Sequence, residues 1–221
     1  MRIFLAALRA RLDAGATPYF RALADGGLSR AAFVDSQVQF FTAVAHFNRP
    51  MMLLASRMPR LEERLSLVEN VFDEHGRGDL ARSHERTFLD LLARLDVPEH
   101  EVRARPIGPE VRAFNAMLDG VCGAGDPYTA IATLGMIEDL FAVLSAAIGR
   151  GIVARGWLGL DEVVHYSTHE VLDVEHCEAF HRIVEPHWPS RRDAIAAGYE
   201  LGGRSFLQLY DGLYARHHGP A

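Results

Sequence analysis

The 221-residue chain contains no lysine: all 23 of its basic residues are arginine. That absence excludes a Schiff-base nucleophile, a lysine-anchored pyridoxal cofactor and a Walker-type phosphate loop, each of which needs a primary amine. Cysteine is scarce as well. Cys122 and Cys177 are too few for a disulfide scaffold or a CxxC metal site, and they point to a reducing compartment. Positive charge is not in excess: the net charge is −6, and no basic patch interleaves with aromatics, so nucleic acid is not an expected partner. No stretch approaches the roughly eighteen uninterrupted apolar residues of a membrane span. The opening MRIFLAALRARLDAG, broken by Arg9 and Arg11, reads as an amphipathic helix rather than a signal peptide. A soluble cytoplasmic protein is expected, with no membrane partner.

What is present is a core-forming composition. Apolar residues make up 49% of the chain, too many for a disordered protein. Helical periodicity dominates and no segment alternates strictly as a strand would. Helices are expected at about 2–13, 18–24, 30–58, 60–75, 80–95, 110–119, 127–150, 161–187 with a break inside, and 190–216. Ser29 is placed to cap the third, and Pro50 should kink or interrupt it. Residues 97–109, with three prolines and a glycine, read as the clearest connection. No repeat or composition shift marks a second domain, so residues 1–221 are expected to form one all-α bundle.

The segment HEVLDVEH, residues 169–176, carries the most specific chemistry. At about 100° per residue, His169, Asp173 and His176 fall within a stripe roughly 60° wide. Two imidazoles and a carboxylate aimed one way suit a metal ion; three polar residues on a solvated face share the same pattern. Ser167 followed by Glu170 fits a capping box that would start a helix at Thr168.

Further donors stand elsewhere. In FDEHGRGDLARSH, residues 72–84, Glu74 and His84 flank a glycine bend, although the segment also suits an exposed charged loop. Glu138 lies among Leu134, Ile137, Phe141 and Leu144 at helical spacings. An acid there must pair, bind metal or reach the surface beside Asp139. Three carboxylates and three imidazoles without a thiolate favour iron or manganese over structural zinc. The chain also holds two E-x-x-H pairs, Glu162/His165 and Glu178/His181. They stand too close together to face one another across a ferritin-like bundle.

The constellation Glu74, His84, Glu138 and His169-x3-Asp173-x2-His176 resembles the haem-oxygenase-like non-haem di-iron oxidases and oxygenases, on the fold shared with thiaminase II and the pyrroloquinoline quinone synthesis oxidase. The match in order and spacing spans residues 69–181. The resemblance implies an up-and-down bundle of seven to eight helices that binds two Fe(II) ions (manganese is the alternative metal). All six residues would be metal ligands and the catalytic set, with O2 as co-substrate. Members oxidise small amino acids, amines or fatty-acid-like molecules by N-oxygenation, desaturation or C–C cleavage. A homodimer is compatible with such a fold.

Some members add a carboxylate from an earlier core helix, but residues 36–61 contain no acid; His46 there is either a pocket residue or a satisfied, partly buried histidine. His165 and Tyr166, just before the ligand stripe, are candidates for neighbours of the site. The alternatives are a thiaminase II-like or cofactor-free enzyme on the same fold, or a helical metal-binding or interaction protein. True haem oxygenase takes its axial histidine from the first helix, whereas the first histidine here is His46. Cys122, in GVCGAGD, and Cys177, about 100° from His176 on a helix, do not resemble an activated thiol.

Overall fold

The computed structural model describes residues 1–219, the side chains of Glu170 and Val171 excepted. Among them are ten α-helices and no strand: α1 (Arg2–Leu12), α2 (Pro18–Asp25), α3 (Arg30–Arg57), α4 (Leu61–Glu74), α5 (His84–Arg94), α6 (Glu99–Ala104), α7 (Pro109–Gly123), α8 (Pro127–Ala154), α9 (Val164–Val184) and α10 (Trp188–His218). The expected all-α bundle is present. It has more segments than seven or eight because α2 is only a short helix and α6 forms inside the proline-rich connection.

Local chemistry sets the helix starts. The Ser29 hydroxyl accepts from Ala32 N at 3.1 Å, and Ser83 accepts from Arg86 N at 3.3 Å. Asp126 accepts from Thr129 N at 2.9 Å, with Pro127 in the first turn where its missing N–H costs nothing.

Two expected breaks do not fall where the sequence placed them. Helix α3 runs through Pro50 without interruption. The proline removes one backbone hydrogen bond, but Pro50, Met51 and Leu54 are buried and their packing holds the helix together. The 161–187 segment does contain a break, but it falls at Val163, between a 3-10 turn (Leu160–Glu162) and the start of α9 at Val164, ahead of Thr168. Ser167 therefore lies inside the first turn, its hydroxyl donating to Val164 O at 3.1 Å. The Glu170 half of the expected capping box lies outside the described side chains.

Helix α8 is the centre of the molecule, lying along α9 on one side and α10 on the other. Its length and apolarity match a membrane span, yet 83% of its most apolar window is buried by the surrounding helices. An aromatic cluster joins the layers: the Phe40 ring packs 5.6 Å from Phe141, 5.9 Å from Phe88 and 5.2 Å from Tyr210. This cluster forms one wall above the polar groups of α4, α5, α8 and α9.

Candidate metal centre

The end of α4 and the start of α5 build the first arm. Gly76 has φ +66°, and a Cβ there would stand 2.6 Å from Ser83 N, so the chain can fold back tightly only with glycine. Two short 3-10 turns, Gly76–Gly78 and Leu80–Arg82, complete the reversal, and Ser83 starts α5 at His84. Glu74 and His84, ten positions apart in sequence, thus meet at 2.9 Å between Oε1 and Nδ1. Both are buried. The segment is not an exposed charged loop at these two residues.

Helix α8 supplies Glu138, which is 3% exposed and so did not escape to the surface. Helix α9 supplies the stripe. His169 Nδ1 lies 2.8 Å from Asp173 Oδ1, and His176 Nδ1 lies 3.8 Å from Glu138 Oε2. Donor atoms of Glu138, Asp173 and His176 all fall within 4.8 Å of one another. The His84 and His169 rings are 4.2 Å apart between centroids. All six expected residues therefore meet in one buried cluster.

Their hydrogen bonding is incomplete. His169 Nε2, Asp173 Oδ2 and His176 Nδ1 are buried without a hydrogen-bond partner. His84 Nδ1, though near Glu74, is not aligned to bond it. Orphaned buried donors and acceptors are rare because each costs about 1–3 kcal/mol. A cation among these atoms would satisfy lone pairs that the protein leaves open. Three carboxylates would offset most of the charge on two divalent ions. The donor set fits the ions.

Electrostatics agree. Burial, then Glu138 and Glu74, push the Asp173 carboxyl well above the usual carboxylate range. Burial opposes charge on His84 and His176, but neighbouring carboxylates outweigh it and raise both, His176 to about 9. His169 moves far the other way through burial and the nearby His84, which keeps it neutral and suited to ligation. Without a cation the cluster retains protons that a metal would displace.

The family model described as "iron-containing redox enzyme" matches residues 35–204, which include all six residues. The chain belongs to this iron-containing redox enzyme family. Solved structures share its haem-oxygenase-like fold. One is a domain of unknown function from Shewanella denitrificans, with TM-score 0.81 and 15% identity, covering 96% of this chain and 91% of the other. A TenA homologue from P. horikoshii has TM-score 0.76 and 13% identity over 96% and 98% of the two chains. A CADD-like protein of unknown function from Nostoc punctiforme has TM-score 0.76 and 17% identity over 97% of each. No curated protein sequence matches the chain.

Membership of an iron-containing family gives weight to the cluster's surroundings. Phe40, Phe114, Phe141 and Phe206 line an apolar pocket that also touches Glu74, His84, Glu138 and His169. A more polar cleft bordered by Arg77, Arg82, Arg94, Asp90 and Glu162 also reaches His84, His165 and His169. Members of the cluster thus line both an apolar pocket and a polar cleft.

One expected neighbour and two unexpected ones stand beside the six residues. His165, fully buried, has its ring 4.5 Å from that of His169 and Nδ1 3.0 Å from the Thr87 hydroxyl. Its i, i+4 spacing to His169 was the available signal. Asp73 Oδ2 lies 3.4 Å from His176 Nε2, so the extra carboxylate near the site comes from α4, not α3. Asn70 Nδ2 points to Glu138 Oε1 at 3.5 Å. Nothing in the sequence pattern marked these last two. Tyr166 instead donates to Gln37, and His46 pairs with Asp119 at 2.8 Å.

Proposed function

We propose that the protein is a di-iron oxidase or oxygenase that uses O2 to oxidise a small molecule held in the aromatic-lined cavity. The observation that carries this reading is the six-donor buried cluster with open nitrogen and oxygen atoms and no thiolate. Glu74, Glu138 and Asp173 supply oxygens, and His84, His169 and His176 supply nitrogens, for two Fe(II) ions. Bound iron would provide reduction of O2 and oxidation of the substrate.

The remaining work falls to the chain. Glu74, Glu138 and Asp173 would supply the negative charge that offsets the ions, and His84, His169 and His176 would supply neutral donors. Asp73 at His176 Nε2 fixes that ring's orientation, as second partners of metal-binding histidines do, and the Thr87 hydroxyl at Nδ1 holds His165 beside His169. Phe40, Phe114, Phe141 and Phe206 exclude water and give a substrate's hydrocarbon part apolar contact. An amino acid, amine or fatty-acid-like substrate with such a part fits this wall.

A thiol-based reaction of the thiaminase type fits poorly. Neither cysteine lines the cavity, and burial pushes both thiols up to about 12. The test is metal stoichiometry under anaerobic conditions. Two Fe(II) per chain are expected for the parent protein, and at most one for Glu138→Ala or His169→Ala with helix content retained. Normal loading of both variants would overturn the ligand assignment.

A further inference from the structure

The residues next to two members of the cluster face a different environment. Asp139 follows Glu138 on α8 and Cys177 follows His176 on α9, each turned about 100° around its helix. That turn takes them toward α1, whose Arg9 binds the Asp139 carboxylate at 2.5 and 2.9 Å. His181, one helical turn beyond Cys177, lies on the same face of α9. Donor atoms of Asp139, Cys177 and His181 all fall within 4.8 Å of one another, as tight a grouping as Glu138, Asp173 and His176.

We propose that Asp139, Cys177 and His181 form a second metal site, separate from the six-donor cluster, that takes a thiophilic divalent ion of the zinc class. Thiolate, imidazole and carboxylate together are the donor set such ions prefer. His181 supplies the independent observation. It is fully buried, its Nδ1 is held by the Tyr199 hydroxyl at 2.9 Å, and its Nε2 has no hydrogen-bond partner. An imidazole oriented through one nitrogen with the other left open is the arrangement of a metal ligand supported by an outer hydrogen bond. Arg9 does not block the carboxylate, because each ionised oxygen carries a second lone pair. Bond lengths of about 2.0–2.3 Å around a tetrahedral ion place donors roughly 3.5 Å apart. Side-chain rotations of about an ångström close the gap. The Cys177 thiol gives its proton to buffer on binding. Three protein donors leave one position open.

The two sites sort ions by chemistry: oxygen and nitrogen for iron, sulfur for zinc. The proposal stands independently of the di-iron reading, and its test keeps the two apart. Co2+ titrated into the metal-free full chain produces a thiolate-to-metal charge-transfer band in the near ultraviolet only where a cysteine ligates. The band is expected to reach the intensity of one cysteine-bound Co2+ per chain, whatever Co2+ the six-donor cluster takes up without such a band, in the parent, in Glu138→Ala and in Cys122→Ser. It is expected to vanish in Cys177→Ser, and His181→Ala should weaken Co2+ binding at least tenfold while circular dichroism shows intact helices. No band in the folded parent, or an equal band in Cys177→Ser, would overturn the site.

Discussion

Gly76 shows how a single residue can determine the candidate centre. It holds a positive φ and leaves no room for a Cβ against Ser83, and that reversal brings Glu74 to His84. Gly76→Ala is expected to lower stability by about 1–3 kcal/mol. It should also weaken iron binding more than tenfold, measured by denaturant unfolding and Fe(II) titration. Unchanged iron affinity would separate the loop from the site. His176 gives a pH prediction for the metal-free protein. Its folded pKa of about 9 lies above the ordinary 6.5, so its pairing stabilises fully below pH 6.5 and is lost as pH rises through 9. His176→Gln should flatten that part of the stability–pH curve; an unaltered slope would assign it to another group. At this scale much was legible. The period of a helix put His169, Asp173 and His176 on one stripe, and an acid among leucines marked Glu138. Asp73 and Asn70 were not legible because polar residues on a half-exposed helix are common, and only the packing of α4 on α9 brings these two to the cluster.

At the scale of elements, the seam between α8 and α10 governs how firmly the site helices are held. A Cβ at Gly202 would stand 2.3 Å from Thr133 O, so α10 lies nearly backbone to backbone against α8. Gly202→Ala is expected to cost about 1–3 kcal/mol by forcing the helices apart. That corresponds to a Tm fall of several degrees in a chain of this size. A calorimetric Tm within one degree of the parent, roughly the shift of a neutral surface change, would contradict the close approach. The helices themselves were readable from apolar spacing and caps, as Ser29 illustrates. Pro50 and the start of α9 were misread for one physical reason: tertiary burial outweighs a local breaker or a local capping pattern when the helix face is packed. The short α6 escaped because six residues between prolines carry too little periodicity to detect.

For the whole molecule, the buried acids and histidines should make stability depend on metal. A cation bound only by the folded state stabilises it by about 2.7 kcal/mol at a hundredfold excess over Kd. The iron-loaded protein should therefore melt several degrees above the metal-free form, and equal melting temperatures would argue against an interior site. The apolar helix α8 contributes to the same effect, since its burial among the other helices encloses the six donors away from bulk solvent. The most direct test is anaerobic Fe(II) loading followed by rapid mixing with O2, monitored by visible absorbance and O2 consumption. Two irons per chain, a transient coloured species and O2 uptake that Glu138→Ala abolishes are expected. Absence of iron uptake, or two bound irons inert toward O2, would contradict the di-iron reading.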